Sequence, residues 1–167
     1  MTAGPATGQL DAAARDQVVA IVARHVSRRA PLIEILHEVQ HALGFVPEGA
    51  VPLIANGLNL SRADVHGVLT FYSHFRTAPP GRRVLRLCRA EACQAMNGRA
   101  LEAHAKRRLG MGFGETTSDG ELTLEAADCL GLCACSPAVM IDDEVHGRMT
   151  PERLDELLHA AAAKVSP

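Results

Sequence analysis

The sequence predicts an α+β chain in two parts, an N-terminal helical bundle over residues 1–80 and an α/β domain over residues 81–167. Three observations predict it. Apolar residues recur with a helical period up to about position 80 and with alternating, strand-like spacing beyond it. All five cysteines, Cys88, Cys93, Cys129, Cys133 and Cys135, lie in the second part. Between the parts, RTAPPGRR (76–83) interrupts both patterns with two prolines and a glycine, and reads as a linker.

In the first part LDAAARDQVVAIVARHV is the first helix. PLIEILHEVQHAL is the second, with Pro31 at its start and Gly44 past its end. AVPLIANGLN and SRADVHGVLTFY follow, the latter opened by Ser61 as a cap. No period-2 strand interrupts them. In the second part VLRLC (84–88) alternates like a strand, and GRALEAHAKRRLG has helical spacing with basic residues in its last turn. ELTLEAADC and AVMIDDEVHG are the next strand candidates. TPERLDELLHAAAAK closes the chain, with Thr150 as cap, Pro151 at the first helical position and an apolar stripe at Leu154, Leu157, Leu158 and Ala161. A strand, a crossover helix and a second strand pair in parallel, while a short turn near Asp143 makes the last strands an antiparallel pair. The order β, α, β, β, α is that of a thioredoxin-type α/β sandwich. The first ten residues and the final VSP are expected to be frayed.

Composition narrows the function classes. An apolar content of 47% in 167 residues is ample for packed cores. A formal charge of -2 offers no basic footprint for nucleic acid or an anionic membrane surface. No apolar run approaches the roughly 20 residues of a membrane span, and the start has neither a basic nor a hydrophobic leader region, so the chain is expected to be cytoplasmic. Thiols there stay reduced, and an odd number of cysteines suits metal binding or redox chemistry better than disulfides.

The cysteine spacing is specific. Cys88 and Cys93 enclose four residues, 35 intervene, and Cys129 and Cys133 enclose three. Each pair ends a strand, so parallel neighbouring strands would deliver both pairs to one edge of the sheet. Gly131 can take backbone angles closed to other residues, letting its loop fold tightly with N–H groups toward sulfur. Three readings compete at this point. A [2Fe–2S] cluster takes two thiolates per iron and tolerates wide internal spacing. A structural zinc takes four thiolates, usually from tighter knuckles. A thiol–disulfide enzyme would show C-x-x-C, which the sequence lacks. Cys135, two residues past Cys133, could replace it as the fourth ligand, but reads rather as a small buried apolar side chain.

HEVQH (37–41) matches the H-E-x-x-H pattern of zinc metalloproteases. However, Leu32, Leu36, Val39 and Leu43 form the apolar stripe of that helix, which leaves His37 and His41 on the polar side without a third ligand. FYSHF (71–75) holds three of the five aromatic residues and reads either as core or as a docking patch. GMGFGE (110–115) follows a helix and reads as a flexible connection. No phosphate loop or nucleophile–base set is present in the sequence.

GVLTFYSHFRTAPPGRRVLRLCRAEAC and ADCLGLCACSPAVMID resemble the thioredoxin-like [2Fe–2S] subunits of respiratory complex I (the 24 kDa-type subunit) and of soluble NAD-dependent formate dehydrogenases and hydrogenases. LHEVQHALGFVP is similar to that family's N-terminal helices, so the likeness covers nearly the whole chain. Within the family, CRAEACQAMNG and CLGLCACSPA look most like the gamma subunit of the formate dehydrogenases, since complex I chains more often resemble G-x-A-P after the second cysteine pair. The resemblance implies one [2Fe–2S] cluster on Cys88, Cys93, Cys129 and Cys133, with Cys135 outside the ligand set. It implies an electron carrier without its own substrate site, beside an FMN/NAD-binding beta-type subunit and a molybdenum- or tungsten-containing alpha-type subunit. Arg89 would then stabilise the reduced cluster, and Glu91 and Asp128 would oppose it.

Overall fold

Asp11 opens the first helix by accepting the N–H of Ala14 on its carboxylate at 2.7 Å, which satisfies one of the unpaired donors of a helix start. The computed structural model describes residues 10–163, and its contacts divide at Pro79 and Pro80 into two units. Of the termini expected to be frayed, only Leu10 is among the described residues, and it packs against the first core; the rest lie outside them.

Among the described residues, the regular elements of the first unit are all helices. Helix α1 spans Ala12–His25, α2 Leu32–Leu43, α3 Ala50–Leu58 and α4 Arg62–Phe71. Gly44 stops α2 with a left-handed φ of 83°, a conformation costly to residues with a Cβ. Ser61 and Asp64 form a reciprocal capping box at α4: the Ser61 hydroxyl accepts the Asp64 N–H, and the Asp64 carboxylate accepts the Ser61 N–H. Val18, Ile21, Ile35, Leu36, Val39, Ile54 and Val65 are buried together with Phe75. The apolar stripe of α2 is wider than its leucines and valine predict, because Ile35 and Gln40 are also buried while Leu32 and Leu43 are only partly so. Burial of Gln40 has a polar cause. Its amide donates to the carbonyl of His74 at 2.9 Å and accepts the N–H of Arg76 at 2.7 Å, pinning the chain that leaves α4.

The second unit is a five-stranded mixed sheet in the order β2-β3-β1-β4-β5. Strand β1 is Arg83–Cys88, β2 Glu115–Thr116, β3 Leu122–Ala127, β4 Val139–Ile141 and β5 Glu144–His146. Helix α5 spans Glu91–Ala95, α6 Gly98–Leu109 and α7 Pro151–Ala163. As expected, β1 and β3 run parallel, and β4 and β5 form a tight antiparallel pair. Alternation places Leu85 and Leu87 on one face, where they join Leu124, Val139 and Ile141 against Leu101 and Ala105 of α6 and Leu154 and Ala161 of α7. The stripe predicted for α7 therefore faces the sheet. Thr150 caps that helix by accepting the N–H of Arg153 at 3.3 Å. The GMGFGE segment is less free than expected. The Gly114 N–H donates to Leu124 at 2.7 Å and β2 begins at Glu115, a strand too short to show a period.

Candidate metal centre

Parallel pairing of β1 with β3 sets Cys88 opposite Ala127, so β1 ends two residues short of the level at which Cys129 leaves β3. Cys93 follows in α5, and Cys133 opens a single turn of 3₁₀ helix, Cys133–Cys135, packed near α5. Both predicted pairs thus emerge at one edge of the sheet. All five cysteines are free thiols. Cys88 and Cys93 are buried in a small cluster with Ala138, edged by Ala90, Leu130 and Leu132, whereas Cys129 and Cys133 face solvent.

The sulfurs stand as two pairs. Cys129 and Cys133 approach to 3.8 Å between Sγ atoms. The Cys88 and Cys93 side chains also interact, and Cys93 is near enough to Cys133 to act on its charge. Burial pushes the Cys88 thiol up, and the neighbouring Cys129 pushes up that of Cys133, since two thiolates side by side repel. Backbone donors oppose this. The N–H groups of Ala90 and Leu130 reach Cys88, and that of Gly131 lies 3.4 Å from the Cys129 sulfur. Gly131 has φ +77°, the left-handed conformation that its loop needs. Free thiols in two pairs, with N–H groups aimed at sulfur, fit a group offering two iron ions to four thiolates. Among the described residues, no group of three or more His, Cys, Asp or Glu side chains is gathered closely enough to hold a metal ion.

Cys135 is half-buried, and its carbonyl accepts the N–H of Arg148 at 2.6 Å. Gly147 lies so close that a Cβ there would come within 2.7 Å of that carbonyl oxygen. The loop is thus held from its far side by the residues after β5. Arg89 is half-exposed and forms an ion pair with Glu102 at 3.1 Å, its guanidinium 5.5 Å from the Phe113 ring centroid. That carboxylate also takes the Lys106 ammonium at 2.7 Å, so one negative charge is shared between two cations. Sequence reasoning missed Ser136, a buried polar residue between the second cysteine pair and β4. Its hydroxyl donates to the Cys133 carbonyl at 2.8 Å and lies 3.6 Å from the Cys93 sulfur. A lone serine in SPAVMI carries no periodic signal, which is why the sequence hid it.

The HEVQH motif is a helix face. His37 and His41 are exposed, and Glu38 is bound by Arg24 and by the His25 ring at 2.5 Å, which holds its carboxyl below the usual range. A carboxylate so engaged is a poor general base. His37 instead rests 5.0 Å from the rings of His74 and Phe75. FYSHF is split in burial, with Phe75 in the core of the first unit and Phe71 79% exposed beside Tyr72. His104, with no partner evident in the sequence, pairs with Asp155 at 3.0 Å and ties α6 to α7. No described helix is long and apolar enough to cross a membrane.

A family model described as thioredoxin-like [2Fe-2S] ferredoxin matches residues 18–162. The E-type subunit of NADH-quinone oxidoreductase from Pseudomonas aeruginosa is 42% identical over 132 residues, covering 79% of this chain and 80% of the relative. The protein of the same name from Escherichia coli K12 is 39% identical over 150 residues, 90% of either chain. A crystal structure of an NAD+-reducing [NiFe]-hydrogenase in the air-oxidised state superposes with a TM-score of 0.63 at 22% identity, over 81% of this chain and only 23% of that one, a likeness of fold.

Proposed function

The chain belongs to the thioredoxin-like [2Fe-2S] ferredoxin family, whose cofactor is a [2Fe–2S] cluster, and from that premise we propose that Cys88, Cys93, Cys129 and Cys133 hold the cluster in an NAD-linked oxidoreductase complex. The observation that carries the ligand set is the parallel β1–β3 pair, which brings two thiol pairs to one sheet edge. When bound, the cluster supplies one-electron chemistry beside two-electron carriers such as flavin and NAD. The protein's part is to hold and tune. Cys88 and Cys93 shield one side from water, the exposed Cys129 and Cys133 leave the other side open to a partner, and the Ala90, Leu130 and Gly131 amides offset sulfur charge.

The relatives support a 24 kDa-type role in a complex I-like assembly, with an FMN/NAD-binding protein as the electron-exchange partner. This displaces the formate dehydrogenase gamma reading as the leading assignment. The second reading keeps one observation in its favour, the Ala134-Cys135-Ser136-Pro137 run where complex I chains more often resemble G-x-A-P. Under it the complex would also contain a molybdenum or tungsten subunit. A cytoplasmic location suits five free thiols under either reading.

Anaerobically purified chain should contain two irons and two acid-labile sulfides with a red-brown spectrum. Cys135→Ala should keep them, and Cys133→Ala should lose most of both. One zinc without sulfide would overturn the reading, and loss of iron in Cys135→Ala alone would move the fourth ligand. Purifying the chain with its natural partners separates the two complexes. Formate-dependent NAD reduction with molybdenum or tungsten present supports the second reading, and NADH-dependent quinone reduction supports the first.

A further inference from the structure

We infer that the hydroxyl of Ser136 is the hydrogen-bond donor to the Cys93 sulfur and raises the reduction potential of the cluster held there. The inference rests on Cys93 being a ligand, as proposed above. Cys93 is 1% exposed and Ser136 8% exposed, so water has little access to either group. Cys88 and Cys129 receive backbone N–H groups, from Ala90 and Leu130 and from Gly131 respectively. Cys93, besides its interaction with the Cys88 side chain, has a side-chain hydroxyl at 3.6 Å.

Proton placement decides the direction of the effect. With Cys93 as a thiol, its S–H points at Ser136 Oγ while the hydroxyl donates to the Cys133 carbonyl at 2.8 Å. As a metal ligand the sulfur has no proton and only accepts. A hydroxyl still turned to the carbonyl would present its lone pairs to anionic sulfur in a buried site. Rotation about the C–O bond turns the proton toward sulfur, exchanging the 2.8 Å bond to the neutral Cys133 carbonyl for one to an anionic acceptor, the stronger kind of the two. The resulting charge-assisted bond strengthens as sulfur becomes more negative, so it favours the state that has gained one electron. The hydroxyl keeps its proton throughout, and no covalent bond forms or breaks.

The test is a mediator-coupled redox titration, followed by EPR, of the full-length chain carrying Ser136→Ala, Ser136→Gly or Ser136→Thr, with iron and sulfide measured on each sample. Both hydroxyl-free variants should load the cluster and titrate at a more negative potential, while Ser136→Thr, which keeps the donor, should stay near wild type. Unchanged potentials in loaded Ala and Gly variants would overturn the inference. So would failure of both to load while Ser136→Thr loads, because the hydroxyl would then be holding the loop rather than tuning the metal. Absence of iron and sulfide from the wild-type chain would instead overturn the ligand reading beneath it.

Discussion

Gln40 shows how much one buried polar residue can organise. It lies on a helix whose apolar spacing marks the neighbouring positions as core, and nothing in that spacing sets it apart from the exposed His41. Its amide makes two hydrogen bonds to the backbone of 74–76, and the Arg76 carbonyl in turn accepts the N–H of Val46 at 2.8 Å. Gln40→Ala would strand a carbonyl and an N–H in a half-buried setting, at a cost of about 1–3 kcal/mol. Urea denaturation followed by far-UV circular dichroism should show the helical transition moving to lower denaturant. An unmoved midpoint would mean that water replaces the amide at no cost. Ser136 escaped sequence reading for the same reason as Gln40. Its importance lies in contacts between residues 43 positions apart, and local pattern does not encode those. The two cysteine pairs were visible because their spacing is itself a signal, while their proposed part as ligands came from the family resemblance.

At the scale of elements, the helices before position 80 were readable from caps and period together. Ser61 announces α4, and Gly44 announces the end of α2. Helix α5 and strand β2 were not readable, since five and two residues are shorter than the windows in which a period can repeat. The capping box carries a pH signature. The Ser61 hydroxyl and N–H hold the Asp64 carboxyl below its ordinary range. A carboxyl whose folded pKa is depressed adds stability above its unfolded pKa, and that contribution fades as pH falls through the folded value. Ser61→Ala removes the hydroxyl that donates to Asp64 at 2.7 Å and also accepts its N–H. The stability gap between wild type and variant should therefore be widest near neutral pH and narrow on acidification below the carboxylate range. It should not close, because the lost acceptor does not titrate. Denaturation midpoints across that pH range check this, and a gap independent of pH would assign the whole effect to the N–H acceptor.

For the whole molecule, the two units have separate cores. The first runs from Val18 to Phe75 and the second from Leu85 to Ala161, with no residue in common. The small apolar cluster around Cys88 and Cys93 is likewise made of residues from the second unit alone. Every group placed at the proposed cluster, thiols, amides and the Ser136 hydroxyl alike, comes from the chain after Pro80. A fragment of residues 80–167 should therefore load iron and sulfide to the same level as the full chain, with the same EPR signal. A unit of this size has a modest core, and ligand binding adds to folding stability, so the loaded fragment should melt at a higher temperature than the metal-free one. Full loading of the fragment combined with loss of electron exchange with the proposed flavin-binding partner would give the helical unit a role in docking, where the exposed Phe71 and Tyr72 are the first residues to substitute. Failure of the fragment to load, while the full chain does, would show that the helical unit is needed to build the site.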